Sequence, residues 1–249
     1  MKNIIDLNKK TIIVTGAGSG IGRETSILLS QLGAKVIMLD CNEDGLNETF
    51  NQTLPAGHIK LVCDLADFDV LPDKIQSILE QCSIIDGLVH CAGISSRKPL
   101  NMLKKDGFSK VMNVNFYSFV ELVRMVTKKK YFNDGGSVVV MSSVSSIHGY
   151  KAKTEYCVSK AAVDAFVRCV ALELAERSIR INSVMPAEVL TPLAVKAREV
   201  NAAVGASDFQ APLGPSEPYE IANTIAFLLS DATKTITGTS ILIDGGVCI

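Results

Sequence analysis

Thr11-Ile12-Ile13-Val14-Thr15-Gly16-Ala17-Gly18-Ser19-Gly20-Ile21-Gly22 runs from a β-branched stretch straight into a cluster of glycines. Its first five residues read as a buried strand. The glycines let the chain turn tightly and bring backbone close to a ligand. A helical pattern follows at once, so the loop ends at a helix N-terminus with free N–H groups and a positive dipole end. Strand, glycine loop and helix in this order form a cradle for the pyrophosphate of a dinucleotide. The spacing is T-G-x-x-x-G-x-G; the common G-x-G-x-x-G fails because Ile21 fills its last position.

Outward from this loop, short apolar runs alternate with longer helical patterns. The strand-like runs fall at 11–15, 35–39, 59–63, 87–91, 137–142, 180–184 and 240–243, and the helical ones near 21–32, 69–82, 101–130, 154–178 and 218–230. This alternation implies crossover units and a parallel sheet with helices on both faces. The expected architecture is α/β: one doubly wound Rossmann-type domain over 1–249, with a seven-stranded parallel sheet. The stretch 191–217, with scattered Ala, Gly and Pro and weak periodicity, is expected to be a substrate loop.

The bulk numbers narrow the function. Net charge is −1 and the pI near 6.3, which leaves no electrostatic footprint for nucleic acid. Lys128, Lys129 and Lys130 form a single basic run that reads as a solvated helix end. No apolar stretch is long enough to span a bilayer, and residues 1–10 do not read as a signal peptide. The 47% hydrophobic content fits strands buried on both faces. Seven scattered cysteines without a C-x-x-C pair read as buried thiols of a cytosolic protein, and three distant histidines offer no metal-ligand spacing.

Cofactor choice is read at the end of the second strand, Val36-Ile37-Met38-Leu39-Asp40. A carboxylate there accepts hydrogen bonds from adenosine ribose hydroxyls and repels a 2′-phosphate. Cys41 follows it where an arginine would favour the phosphate, and Ser19 inside the glycine loop is not basic. These residues favour NAD over NADP. Asp64, closing the third run, either contacts the adenine or caps the next segment.

Tyr156 and Lys160 share a helix face at i and i+4, with Ser143 upstream. A free tyrosine ionises near pH 10, and lowering that by roughly three units takes about 4 kcal/mol. A neighbouring cation supplies such stabilisation, and an oxidised nicotinamide adds to it. The phenol then passes a proton to or from an alcohol oxygen.

With the glycine loop, the Ser143/Tyr156/Lys160 spacing and the terminal Ile236-Thr237-Gly238 and Asp244-Gly245-Gly246, the chain resembles the short-chain dehydrogenase/reductase family along essentially its whole length. The resemblance implies hydride transfer between NAD(H) and a secondary alcohol or ketone. Tyr156 is then the acid/base, Lys160 lowers its pKa and holds the nicotinamide ribose, and Ser143 binds the reacting oxygen, so Ser143 and Tyr156 also bind substrate. Asn115, chosen over Asn113 by the family's spacing, helps to hold a water leading to the lysine.

The same resemblance places the cofactor on Gly16, Ser19, Gly20, Ile21, Gly22, Asp40, Asp64, Leu65, Cys91, Ala92, Gly93, Tyr156, Lys160, Pro186, Val189 and Thr191. No metal is implied. Two segments depart from the family pattern. Ala187 replaces the glycine after Pro186, which would matter if that position needed a positive φ. His90-Cys91 replaces the usual Asn-Asn, removing side-chain hydrogen bonds that His90 is expected to replace in part, in a structural role. His148, Glu188 and Lys196 border the expected substrate region.

Two alternatives stand beside this reading. One is an NADPH-dependent 3-oxoacyl-carrier-protein reductase: Arg177 matches one of its basic docking positions, while Asp134 stands at the other. The second is a non-catalytic NAD-binding sensor or scaffold, opposed by the intact Ser143, Tyr156 and Lys160. Family members commonly form tetramers through the long helices near 101–130 and 154–178. Phe116, Phe119, Val120 and Phe166 serve either that seam or the core, so the expected state is a homo-oligomer, tetramer or dimer.

Overall fold

The computed structural model describes residues 5–82, 84–195 and 211–248. Seven strands among them form one parallel sheet: β1 (Thr11–Thr15), β2 (Lys35–Asp40), β3 (Ile59–Val62), β4 (Ile85–His90), β5 (Phe132–Met141), β6 (Arg180–Pro186) and β7 (Ser240–Ile243). Their order is β3-β2-β1-β4-β5-β6-β7. The chain order reverses between β1 and β4, and the C-terminal ends of these two strands open the crevice where doubly wound sheets bind ligands.

Alternation along β1 and β2 builds two cores. Ile13, Ile37 and Leu39 point to one face of the sheet, under α3 (Leu71–Gln81), α5 (Ser118–Val126) and α6 (Thr154–Leu174). Ile12, Val14, Val36 and Met38 point to the other, under α1 (Gly20–Gln31), α2 (Glu43–Gln52) and α7 (Pro218–Leu229). Burying a side chain of this size contributes about 1.5–3 kcal/mol, so a strand covered on both faces is a strong anchor.

Of the cysteines expected to be buried only Cys63 is fully so, and Cys41 and Cys169, beyond the end of β2 and on the outer side of α6, are exposed. The other differences from the sequence reading have local causes. Helix α2 was not expected, because Gly45 in its first turn and few apolar residues blur its periodicity. Its start is fixed by Asn42, whose Oδ1 accepts from Gly45 N at 3.2 Å, with Glu43 and Asp44 beside the dipole. The expected helix over 101–130 is instead α4 (Lys105–Met112), a π turn (Asn113–Tyr117) and α5. Lys128, Lys129 and Lys130 lie exposed just beyond its end. Strand β5 begins earlier than expected, with a register irregularity opposite Ile85 and Gly87. Of the expected loop 191–217, residues 196–210, Lys196 among them, lie outside the described residues.

His90 sits fully buried at the end of β4, its Nδ1 3.0 Å from Thr15 Oγ1 and its ring against Phe119. It therefore bridges the two central strands with a side-chain hydrogen bond. Burial and then the Lys160 charge push its pKa down to about 3. The unfolded chain takes up this proton near pH 6.5 and the folded chain does not, so stability is lost as pH falls from about 6.5 towards 3. His90→Asn should flatten that decline by about 1.4 kcal/mol per pH unit, read from urea unfolding at several acid pH values. An unchanged acid slope would remove His90 as its source.

Candidate active site

A cleft of about 430 Å³ lies over the C-terminal ends of β1, β2 and β4. Gly16, Ser19, Gly20, Ile21, Gly22, Asp40, Asp64, Leu65, Cys91, Ala92, Gly93 and Thr191 all line it. Of the other expected cofactor residues, Val189 is buried 6% exposed, Pro186 ends β6, and Tyr156 and Lys160 lie on α6; none of these four lines the cleft.

The glycine loop is packed so closely that side chains are excluded from it. A Cβ on Gly22 would stand 2.1 Å from Gly16 O, and one on Gly16, at φ +67, 2.7 Å from Ala92 N. At the start of α1, Ser19 makes no side-chain cap and no acidic residue occupies the first turn. The N–H groups of that turn are thus available to an anion.

Asp40 grips this loop directly. Its Oδ2 accepts from Gly18 N at 2.8 Å and its Oδ1 from Asn42 N at 2.8 Å. From the other side Arg23 donates to Gly18 O at 2.6 Å, to Glu48 at 2.8 Å and to Thr49 Oγ1 at 3.1 Å. Arg23 escaped the sequence reading, although its place directly after Gly22 aims it under the loop. Asp64 caps its own turn, accepting from Ala66 N at 2.9 Å, while also lining the cleft. Thr191 brings the segment after β6 to the loop: its Cγ2 would be 3.1 Å from a Cβ on Gly20.

Ala187 needs no positive φ; among the described non-glycine residues only Lys9, Ala152 and Ser178 adopt one. Its N–H pairs with Ile243 O at 3.2 Å, so the replacement of glycine leaves the strand end in register.

The polar group expected on α6 gathers behind Gly93. A Cβ on Gly93 would lie 3.4 Å from Asn115 Oδ1 and 3.6 Å from Lys160 Nζ. Asn115, fully buried in the π turn, accepts from Ile94 N at 2.8 Å and donates to Ile94 O and Ser159 Oγ at 3.0 Å. Asn113 lies in the same turn but is not fully buried. The π turn matters here because it rotates one extra residue inward, a device common at functional sites.

Lys160 is buried and donates to Met141 O at 2.6 Å. Burial lowers its pKa to about 8, against the pull of Asp164 and Cys91. Tyr156 is half-buried; burial pushes its phenol up to about 12, and a hydrogen bond with Ser143 pulls it back. Lys160 Nζ stands 5.6 Å from the Tyr156 ring centroid, beside the ring face. In the protein alone, therefore, the phenol holds its proton at neutral pH, and Ser143 is the residue that opposes its burial.

His148 is partly buried and its carbonyl lies 3.9 Å from Cys157 Sγ. Phe119 belongs wholly to the core, packed edge-on against Phe166 at 5.5 Å; Phe116, Val120 and Phe166 are partly exposed. Among the described residues no group of three or more His, Cys, Asp or Glu side chains could hold a metal, and no helix is long and apolar enough to cross a membrane.

The family model described as "Enoyl-(Acyl carrier protein) reductase" matches residues 16–248. A 3-oxoacyl-[acyl-carrier-protein] reductase from Thermotoga maritima is 35% identical, covering 98% of this chain and 99% of its own. A solved short-chain dehydrogenase/reductase from Serratia marcescens superposes with a TM-score of 0.87 at 25% identity, covering 98% of this chain and 99% of its own. The chain is a short-chain dehydrogenase/reductase. As a member of that family it is an oxidoreductase that acts on CH–OH groups with a nicotinamide cofactor. Within the same family, an NAD-dependent glycerol dehydrogenase from Listeria innocua is 29% identical over 98% of this chain and 96% of its own. This dehydrogenase/reductase thus resembles relatives with different substrates.

The grip on Gly18 generates a prediction. Arg23→Ala removes charge-assisted hydrogen bonds worth about 1.5–3 kcal/mol. Affinity for a reduced nicotinamide dinucleotide, read by its fluorescence, should fall about tenfold or more, with a lower melting temperature. Wild-type affinity in that variant would show that the loop keeps its shape without Arg23.

Proposed function

We propose that the protein transfers a hydride between NAD(H) and a free secondary alcohol or ketone, with Tyr156 as acid/base, and that residues 1–249 act as one domain. The observation that carries this reading is the meeting of Asn115 and Lys160 beside Gly93, with Tyr156 next to Lys160 and hydrogen-bonded to Ser143, while Gly93 and Asp40 both line the cleft. A nicotinamide dinucleotide bound there supplies the hydride donor or acceptor and, when oxidised, a positive charge. Gly16 and residues 19–22 would hold its pyrophosphate with Thr191, Asp40 its adenosine ribose, and Asp64, Leu65, Cys91 and Ala92 its adenine side. Pro186 and Val189 would hold the carboxamide, and Tyr156 and Lys160 the second ribose.

The residues divide the proton chemistry. Ser143 and Tyr156 orient a carbonyl oxygen by hydrogen bonds. Tyr156, still protonated at neutral pH, gives its proton to that oxygen in reduction. Lys160, its ammonium beside the tyrosine ring, replaces the proton. Since the Asn115 amide is spent on Ile94 and Ser159, the water link to Lys160 would run through the Asn115 backbone. Ketone reduction should persist through neutral pH and decline as pH rises past about 8, where Lys160 gives up its proton.

NAD is favoured over NADP because the Asp40 carboxylate, fixed by two backbone N–H groups, cannot swing away from a 2′-phosphate. The second reading, an NADPH-linked 3-oxoacyl-carrier-protein reductase, is favoured by the identity to the Thermotoga maritima enzyme and by the exposed Lys128, Lys129 and Lys130. Against it, Arg177 is spent inside the molecule. It pairs with Asp134 at 2.7 Å and donates to Phe132 O at 2.6 Å and to Thr127 O. An acidic carrier would meet a neutralised pair there. Exposed Tyr117, Val158 and Leu172 offer apolar area for a homo-oligomeric seam.

The test is oxidation and reduction of a panel of sugars, sterols, small alcohols and hydroxyacyl thioesters by the wild type and Tyr156→Phe. Turnover of the active substrate should drop by about 10²–10⁴-fold in the variant. Dinucleotide affinity should stay within a few-fold. Near-normal turnover would take Tyr156 out of the mechanism, and activity confined to carrier-bound thioesters would favour the second reading.

A further inference from the structure

Asp164 stands one helical turn beyond Lys160 on α6 and is 5% exposed. Its Oδ2 accepts from Ser142 Oγ at 2.8 Å, and its Oδ1 from Ser183 Oγ at 2.7 Å, with Ser240 Oγ 3.3 Å away. These serines lie next to the end of β5, in β6 and at the start of β7. No cation pairs with Asp164 within salt-bridge distance among the described residues. Hydroxyl donors of this kind satisfy the oxygens of a buried carboxylate that would otherwise lack partners. Three hydroxyls from three different segments therefore surround a carboxylate placed at the back of the proposed proton path.

The neighbours of Lys160 can be named from each side. On α6 they are Tyr156 and Asp164; at the end of β4, His90 and Cys91; from β5, the Met141 carbonyl; from the π turn, the neutral amide of Asn115. His90, at about 3, and Cys91, pushed by burial to about 12, are uncharged at neutral pH. That leaves the Asp164 carboxylate as the anion among them.

We propose that Asp164 is a positioning residue that holds Lys160 as an ammonium beside Tyr156 and fixes the turn carrying Ser143. The second effect follows from Ser142, which hydrogen-bonds Asp164 and is the immediate neighbour of Ser143. Burial alone would drive Lys160 towards the neutral amine, which cannot replace the proton that Tyr156 gives up. Asp164 opposes that drift without touching the reacting atoms. A purely structural reading is also available, since the same carboxylate ties α6 to three strand ends. The two readings differ in what a neutral isostere does. This inference rests on the role proposed for Lys160.

The experiment is an Asp164→Asn substitution followed by two pH titrations. The first reads the side-chain nitrogen of Lys160 by NMR in ¹⁵N-lysine-labelled protein without dinucleotide, assigned with Lys160→Arg. The second reads the alkaline decline of ketone reduction. Both midpoints should fall by about one pH unit in the variant, while the circular dichroism spectrum stays that of the wild type. An unmoved Lys160 resonance midpoint would overturn the proposal.

A moved resonance with an unmoved activity profile would uphold the hold of Asp164 on the Lys160 charge and remove Lys160 from the proton path, which separates this inference from the mechanism above. If Asp164→Asn does not fold, the wild-type titration still decides. Lys160 found as ammonium at pH 7 supports the proposal, and Lys160 found neutral there sinks it.

Discussion

The Gly18 peptide is held from opposite sides, its N–H by the Asp40 carboxylate and its carbonyl by the Arg23 guanidinium. Everything about the cleft depends on that grip. A glycine loop without side chains has no packing of its own to give it one shape, and its conformational freedom is the cost of letting a ligand approach the backbone. Here the shape is imposed by the end of β2 on one side and by the first turn of α1 on the other. Because both anchors belong to buried elements, the loop is pre-organised before any ligand arrives, and little ordering is left for binding to oppose.

The polar group behind Gly93 follows a different rule. Tyr156, Lys160 and Asn115 are brought together by burial, and burial works against charge. It raises the tyrosine and lowers the lysine, so in the protein alone the pair sits as phenol and weakly held ammonium. Ser143 offsets the first shift and Asp164 the second. Two of these polar groups, Tyr156 and Lys160, thus have their shifts opposed by a specific neighbour at the C-terminal end of an apolar sheet. His90 shows the same economy without chemistry: buried and neutral, it links β4 to β1 where the family's usual asparagine is absent.

How much of this could be read in advance depended on whether the signal was local. The β1–loop–α1 unit and the seven parallel strands were legible because each is written in consecutive apolar residues; the order of the strands in the sheet was not, since it is set by contacts between distant segments. The glycine loop and Asp40 were legible in the same way, whereas the 91–93 segment and Thr191 were placed by the family resemblance alone; all of them line the cleft. Helix α2 was not, since its evidence is a cap and two acidic residues rather than an apolar stripe. The π turn was hidden because no glycine, proline or cap marks it: Asn113–Tyr117 reads as ordinary helix interior. Arg23 and Asp164 were hidden for another reason. Each acts on residues distant in sequence, and only the fold brings Gly18, Glu48 and Thr49 to the first or three serines to the second. The spent state of Arg177 belongs to the same class: Asp134 is distant from it in sequence, and the fold pairs them.

The claim on which the functional account turns is that the end of β2, through Asp40, selects a dinucleotide without a 2′-phosphate. Its most direct measurement is a fluorescence titration of the wild-type protein with NADH and with NADPH, each at the same fixed salt concentration. The account predicts tighter binding of NADH by at least about a hundredfold, from the repulsion between a fixed carboxylate and a phosphate at close range. Tighter binding of NADPH would contradict it and bring the carrier-protein reductase reading to the front.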